Sequence, residues 1–148
     1  GYGQGFRENG GQYTHGALWL AMAAIRRGRV DEGFEILQYL LPENHELRRY
    51  GAEPFVLSAD VYSAPGHQGE AGWSWYTGSA GWYFRVVSQE LLGLRLKEGR
   101  LYISPRLPAS LPSYSLTWKD GGGHLHRIDC DRGHVYVDGE VYLGQGLG

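Results

Sequence analysis

Residues 91–103 read LLGLRLKEGRLYI, and the spacing of the apolar residues changes within this stretch. Before Gly93 apolar residues recur at helical spacing, whereas after it they alternate with polar residues as in a strand. The turn residues KEG at 97–99 predict that two such strands form a hairpin. We therefore predict an α+β chain with a helical domain over 1–93 and a β-rich domain over 94–148.

The helical part is predicted to contain three long helices, over Thr14–Arg27, Asp31–Leu41 and Ser79–Leu92. The first two begin with suitable N-cap residues, and their short connection predicts an antiparallel pair. Residues 53–62, with a proline in the first turn, predict a shorter helix. The charged stretch 42–50 between these elements is expected to be exposed.

The β-rich part is predicted to contain three strands after the hairpin, because Tyr114–Trp118, Leu125–Cys130 and His134–Val137 alternate apolar and polar residues. Glycine-rich turns separate these strands. Helices followed by strands, without a repeat of both, exclude a βαβ architecture.

The composition is typical of a globular protein, with 148 residues, 42% apolar and 20% charged, and twenty aromatic residues exclude a disordered chain. A net charge of -2 gives no positive field, so we expect no nucleic-acid partner. Cys130 is the only cysteine, which excludes an internal disulfide and favours a reducing, cytoplasmic location. No apolar run reaches about 18 residues, so we predict no membrane span. No signal peptide opens the sequence, whose first residues are typical of the interior of a domain, and we interpret it as a piece of a longer chain.

A first candidate site combines a glycine-rich loop with the start of the first helix. Residues 1–11 contain Phe6 and charged residues among the glycines, which is unusual for a linker, although a flexible terminus is the alternative. A helix N-terminus offers free N–H donors to an anion, and a histidine there adds another. The alternative for this histidine is a helix cap or a place in the core. The polar residues of the candidate are Arg7, Glu8, Asn9, Gln12, Tyr13, Thr14 and His15.

A second candidate site is the segment TGSAG at 77–81, where two hydroxyls lie at another helix start. Plain helix capping is the alternative. The flanking aromatic residues can stack on sugar rings or belong to the core. These residues are Trp73, Trp75, Tyr76 and Trp82.

Other combinations of reactive residues match no standard pattern. The three histidines at 124, 126 and 134 lie near Asp129 and Asp131, but their spacing fits no metal motif, so we expect no metal site. The segment at 77–81 only partly matches the nucleophile elbow of hydrolases. Four carboxylates are possible general acids, without a pairing that the sequence defines: Glu8, Glu53, Asp60 and Glu70.

Three motifs together resemble the C-terminal part of the glycoside hydrolase family 94 phosphorylases. They are RENGGQYTHGALWLAMA at 7–23, EPFVLSADVYSAPGHQGEAGWSWYTGSAGW at 53–82, and LLGLRL with LYISPRLP in 91–108. The motifs occur in the family's order, and the resemblance covers about residues 1–118. The versions QYTH and WYTGS are most similar to the β-1,2-glucan branch, which includes β-1,2-oligoglucan phosphorylases and cyclic β-1,2-glucan synthases.

The resemblance implies a fold and a reaction. The chain would hold the last helices of an (α/α)6 barrel and part of a C-terminal β-sandwich. The reaction would be phosphorolysis of a β-glucoside or β-glucan with inversion, giving α-glucose 1-phosphate. Inorganic phosphate would be the co-substrate, and no cofactor is implied.

The resemblance also implies roles for individual residues. His15, Thr77, Gly78 and Ser79 would hold phosphate. The residues that would line the sugar sites are Arg7, Glu8, Gln12, Tyr13, Trp75 and Tyr76, with Glu53 as a positioning residue.

The general-acid aspartate of the family lies upstream of the matching motifs, so the chain alone is expected to lack activity. It would then need the remainder of a parent polypeptide, whose membrane anchoring stays open. Its exposed barrel edge would also allow a homodimer. A carbohydrate-binding module and a purely structural fragment are the alternatives to an enzyme.

Overall fold

A computed structural model describes all residues, 1–148, and places them in two compact units, Gly1–Val86 and Val87–Gly148. The first unit is mainly helical and the second is built from strands. The predicted α+β class is therefore confirmed. No helix of the chain has the length and apolar character needed to cross a bilayer.

Two helices, α1 (Thr14–Arg26) and α2 (Val30–Tyr39), form the predicted antiparallel pair. Leu18, Ile25 and Leu37 are fully buried in the first unit, as the helical spacing of apolar residues requires. The predicted caps are wrong, because the capping positions are the residues before each helix and neither makes a side-chain capping bond. Thr14 instead lies inside the first turn, where its backbone N–H donates to the carbonyl of Ala59 at 2.9 Å.

A small antiparallel sheet joins distant segments of the first unit: β1 (Gln12–Tyr13), β2 (Asp60–Val61) and β3 (Ala71–Gly72). The helix predicted over 53–62 is therefore wrong. The physical reason is that this segment's backbone bonds to other segments. The N–H of Ala59 donates to the carbonyl of Gly72 at 2.9 Å, and the carbonyl of Leu57 accepts from Tyr76.

The segment 42–50 forms a 3-10 turn (Pro42–Asn44) and the short helix α3 (Leu47–Tyr50). The predicted exposure is wrong for Tyr50, which is buried and donates to Ser58 Oγ at 3.1 Å. The third long helix begins two residues earlier than predicted. It consists of α4 (Thr77–Arg85) followed by a π-helical turn (Val86–Leu91).

The second unit confirms the predicted hairpin, formed by β4 (Leu94–Lys97) and β5 (Arg100–Ile103). A four-stranded antiparallel sheet follows in sequential order. The core of the second unit contains Leu101, Ile103, Ile128, Cys130 and Val135. The strands are β6 (Ser113–Lys119), β7 (Leu125–Asp131), β8 (His134–Val137) and β9 (Glu140–Val141).

Candidate functional site

The two candidate anion sites of the sequence lie together in the first unit. His15 is in the first turn of α1, and its Nδ1 is 3.4 Å from the Oγ of Ser79 in the first turn of α4. A Cβ added to Gly78 would lie 3.2 Å from His15 Cε1, so the backbone of α4 directly faces the imidazole. The starts of both helices therefore meet at one histidine.

This arrangement can bind an anion. The first N–H groups of an α-helix have no partner inside the helix, and its dipole is positive at that end. Thr77 and Gly78 are exposed at the start of α4, whereas Ser79 is fully buried. Backbone N–H groups at helix starts hold phosphate in proteins, and the His15 imidazole and the hydroxyls of Thr77 and Ser79 add further polar groups here.

Two tyrosines form one wall of the site. The ring of Tyr76 meets the His15 ring edge-on, with centroids 5.2 Å apart. The hydroxyl of Tyr13 is 3.4 Å from that of Tyr76. This hydrogen bond, together with partial burial, raises the pKa of Tyr13, so its phenol keeps its proton at neutral pH.

Arg7 connects the glycine-rich loop to the same wall. Its guanidinium lies over three rings, with the carbon 4.2 Å from the centroid of Trp73, 5.4 Å from Tyr2 and 5.8 Å from Tyr76. The side chain is only 8% exposed, and its Nε has no hydrogen-bond partner in this chain. Cation–π contacts of this kind hold a guanidinium against aromatic faces.

The glycine-rich loop is ordered by its neighbours and is not a free terminus. The carbonyl of Gly5 accepts from the N–H of Ser63 at 2.9 Å, and the carbonyl of Gly10 accepts from Ser63 Oγ at 2.6 Å. A Cβ on Gly5 would lie 2.3 Å from the Ala64 nitrogen, so the close approach requires glycine. The loop exposes Glu8, and Gln12 Nε2 is buried without a partner in this chain.

Trp75 and Glu53 form a second contact beside the wall. The indole Nε1–H donates to Glu53 Oε1 at 2.8 Å, and Phe55 meets the indole edge-on at 5.9 Å. Trp75 is 60% exposed and has a φ of 61°, which is strained for a residue other than glycine. Hydrogen bonds from its own backbone and from Trp75 lower the pKa of Glu53, so this acceptor stays ionised.

The four carboxylates considered as acids have different surroundings. Glu8 is exposed, whereas Asp60 is fully buried. Glu53 accepts from the tryptophan, and Glu70 lies 2.9 Å from His67 Nδ1. The structure brings no two of them together as a catalytic pair.

Two of the three histidines of the second unit, His124 and His126, contact the same carboxylate, that of Asp120. His126 sits between two carboxylates, with Nδ1 2.9 Å from Asp138 Oδ2 and Nε2 3.2 Å from Asp120 Oδ2. Hydrogen bonds to Asp138 and then Asp120 raise the pKa of His126. His126 therefore joins the start of β7 to the turn before it and to the turn after β8.

Sequence reasoning missed the parts played by Asp60 and Trp73. Asp60 accepts the backbone N–H of Arg7 at 2.7 Å, although 53 residues separate them. Trp73 has a φ of 54° and carries the guanidinium on its face. The sequence feature that could have indicated these contacts is the glycine-rich composition of the segments around Arg7 and Trp73, because glycine allows such close backbone approach.

Comparison with known proteins identifies the family of the chain. Residues 1–93 match the catalytic domain of the glycosyl hydrolase 94 superfamily. The chain is 40% identical over 136 residues to the cyclic beta-(1,2)-glucan synthase NdvB of Rhizobium meliloti, covering 88% of this chain and 5% of that protein.

Two phosphorylases are also similar. Solabiose phosphorylase of Paenibacillus borealis is 33% identical over 155 residues, covering 97% of this chain and 20% of that protein. The N,N'-diacetylchitobiose phosphorylase of Vibrio furnissii is 29% identical over 128 residues, covering 82% of this chain and 16% of its own length. The chain thus spans a fifth or less of each relative, and the match over most of its residues shows that it belongs to the glycosyl hydrolase 94 superfamily.

Proposed function

We propose that this chain is the phosphate-binding, C-terminal portion of an inverting β-glucan phosphorylase or cyclic β-1,2-glucan synthase. The observation that carries the proposal is the meeting of His15 with Ser79 and Gly78 at the starts of two helices. Thr77, exposed beside them, supplies a second hydroxyl. The wall formed by Tyr13 and Tyr76 lies next to these groups.

A phosphate bound beside His15 would be the nucleophile of the proposed reaction. A phosphate oxygen attacks the anomeric carbon of a β-glucoside from the α face. The bond from that carbon to the leaving oxygen breaks, and a carboxylic acid gives this oxygen its proton. The products are α-glucose 1-phosphate and a shortened glucan, and the role of His15 and its neighbours is to orient the phosphate.

The carboxylic acid for this step belongs to a part of the fold outside these 148 residues. The helices of the first unit would be the last helices of an (α/α)6 barrel, and the second unit would be part of a β-sandwich. The whole enzyme would act in the cytoplasm, where glucan and phosphate meet, and its possible attachment to the inner membrane would come from other segments. The isolated chain would then bind phosphate without turning over glucan.

The sugar side of the site would be formed by Arg7, Glu8, Gln12, Tyr13, Trp75 and Tyr76. Glu53 fixes the Trp75 indole through the hydrogen bond at 2.8 Å, so this ring offers an oriented face to a pyranose. A β-1,2-linked glucan is the substrate class that the similarity to a cyclic β-1,2-glucan synthase supports.

The test is release of α-glucose 1-phosphate from β-1,2-linked gluco-oligosaccharides by a polypeptide that contains this chain and the rest of the catalytic domain. We expect release that requires inorganic phosphate. Cellobiose and chitobiose serve as substrates of other linkage or sugar type. Absence of phosphate-dependent turnover on all three would contradict the proposed function.

A second candidate is a carbohydrate-binding module without catalysis, favoured by the exposure of Trp73 and Trp75. This candidate predicts glucan binding that phosphate does not change and that Trp75→Ala abolishes. Isothermal titration with and without phosphate separates the two functions.

The partners proposed for the first unit are the remaining barrel helices. Leu20 and Phe84 are exposed on α1 and α4, which supports a covered position for these faces in the complete enzyme. A homodimer through the same faces is the alternative. A monomeric mass of the chain in sedimentation equilibrium would contradict the homodimer.

A further inference from the structure

Asp60 is a buried carboxylate that the proposed reaction does not use. The residue lies in β2 with 0% of its surface exposed. Its Oδ2 accepts the backbone N–H of Arg7 at 2.7 Å, whereas its Oδ1 has no hydrogen-bond partner in this chain. Burying a carboxylate is costly, so a residue of this kind requires an explanation.

The hydrogen bond to Asp60 fixes an unfavourable backbone conformation. Arg7 has a φ of 50°, in the left-handed region that residues with a side chain avoid. Conformations of this kind persist only where the surroundings impose them, and they cluster at functional sites. The bond at 2.7 Å is the direct restraint on this residue's N–H.

The surroundings of Asp60 are shaped to admit its carboxylate. Gly72 is its partner across the β2–β3 pair. A Cβ at Gly72 would lie 2.3 Å from Asp60 Oδ1 and 2.6 Å from a ring carbon of Tyr62. Only glycine leaves this space, so the position of the carboxylate depends on both residues.

The conformation of Arg7 determines where its guanidinium goes. The group lies 4.2 Å from the centroid of Trp73 and 5.8 Å from that of Tyr76, which come just before α4. The same residue precedes Glu8 in the glycine-rich loop. Arg7 therefore links the loop that carries Glu8 to the segment that carries the residues 77–79.

We propose that Asp60 is a positioning residue that acts through Arg7: by holding the Arg7 backbone, it directs the guanidinium onto Trp73 and Tyr76, and this contact sets the position of the Glu8 loop relative to the start of α4. This inference rests on the proposed function, because it assigns the loop to the glucan and the start of α4 to phosphate. Loss of the restraint misplaces both sets of contacts, so binding of both substrates weakens together.

The experiment uses the complete polypeptide that contains this chain, with phosphate and a β-1,2-linked gluco-oligosaccharide as substrates. We expect Asp60→Ala to raise KM for both, with kcat/KM lower by about 100-fold, as displacements of about 1 Å produce. Asp60→Asn restores most of this loss, because its amide oxygen accepts the same N–H. Arg7→Met reproduces the loss, and the double variant Arg7→Met with Asp60→Ala is no worse than Arg7→Met alone.

The control is Tyr50→Phe, which removes another buried hydrogen bond of the first unit and should lower stability without changing either KM. Wild-type KM values in Arg7→Met overturn the inference, even where Asp60→Ala does not fold. Additive losses in the double variant, or equal losses in Tyr50→Phe, overturn it as well. If the proposed function is wrong, the unaltered polypeptide shows no phosphate-dependent turnover. Intact turnover in the wild type therefore distinguishes failure of this inference from failure of the proposed function.

Discussion

Gly78 faces the imidazole of His15 at a distance that leaves little room for a side chain. An added Cβ would lie 3.2 Å from Cε1 and 3.4 Å from Nε2 of the histidine. We expect Gly78→Ala to displace the ring and raise KM for phosphate about tenfold. Stability should not fall, because alanine favours a helix over glycine by about 1 kcal/mol.

Gly81 provides the matched control in the same helix. A Cβ at this position would have no heavy atom within 4 Å. Gly81→Ala should therefore raise the melting temperature and leave the KM for phosphate unchanged. Equal phosphate affinity in both alanine variants would contradict the placement of phosphate beside His15.

Glu53 is predicted to act on the glucan and not on phosphate. Its carboxylate accepts the Trp75 indole N–H, and no other side chain holds the polar end of that indole. In Glu53→Ala the Trp75 indole loses this restraint. We expect KM for the glucan to rise about tenfold, because a released indole must be ordered again when the sugar binds. Steady-state kinetics should show an unchanged KM for phosphate, and a rise in both values would contradict this division of roles.

At the scale of elements, the cluster around His126 predicts a pH dependence in the second unit. Hydrogen bonds to Asp138 and then Asp120 raise its pKa above the ordinary value of 6.5. A raised pKa in the folded state means stabilisation that is complete below 6.5 and is lost as pH rises through the folded value. His124, 3.3 Å from Asp120, adds a second imidazole to the cluster.

The carboxylates of Asp120 and Asp138 give stability the opposite dependence on pH, in the acid range. A hydrogen bond from the His124 N–H, and then one from His126, lowers the pKa of Asp120 to about 2. This stabilisation is present above the ordinary value of 3.8 and is lost as pH falls. Thermal unfolding should therefore show a lower melting temperature at about pH 8 than at about pH 5.5. His126→Gln should remove the fall on the alkaline side, and an unchanged profile in this variant would contradict the assignment.

The close contact between α1 and α2 predicts that a methyl group added at Gly33 lowers the stability of the first unit. A Cβ on Gly33 would lie 2.6 Å from Ile25 Cγ1 and 2.8 Å from the Ala21 carbonyl oxygen. Overpacking of this kind costs about 1–3 kcal/mol, which exceeds the gain in helix propensity. Chemical denaturation of Gly33→Ala should show this loss, and a stability equal to the wild type would mean that the helices separate more easily than the packing indicates.

The elements differ in how well the sequence predicts them, for a physical reason. Apolar residues at helical spacing, among them Leu18 and Ile25 in α1 and Leu37 in α2, predict these two helices. The local sequence is sufficient here because a helix satisfies its backbone hydrogen bonds within its own segment. The stretch 53–62 also has apolar residues and a proline, yet its backbone bonds to Thr14, Gly72 and Tyr76. Isolated hydrogen bonds of this kind, made by an irregular segment, leave no periodic signal in the sequence, unlike the alternation of a paired strand.

The sequence likewise predicts the candidate site only in part. The residues at 15 and 77–79 are predicted as two separate anion sites because each lies at a helix start. Their meeting depends on the tertiary arrangement of α1 and α4, which local patterns do not contain. Local patterns also do not predict the left-handed φ values of Arg7 and Trp73, whose backbones bond to the distant residues Asp60 and Ala59.

At the scale of the whole molecule, the chain is a member of the glycosyl hydrolase 94 superfamily that covers only part of its relatives. It matches the family over 1–93 and spans 20% of a related phosphorylase. The groups that we propose hold phosphate lie together in the first unit, and we propose that the acid belongs to another part of the fold. We therefore expect the isolated chain to release no α-glucose 1-phosphate at any phosphate concentration, and release by the chain alone would contradict the proposed division.

The measurement that tests the central claim most directly is KM for phosphate in the complete polypeptide with His15→Ala. His45→Ala is the matched control, because His45 lies in the same unit and contacts Tyr50 and the Tyr39 carbonyl. We predict a rise of about tenfold or more in KM for phosphate with His15→Ala, equivalent to about 1.4 kcal/mol, and no change with His45→Ala. An unchanged KM for phosphate in His15→Ala would contradict the assignment of this histidine and of the site built around it.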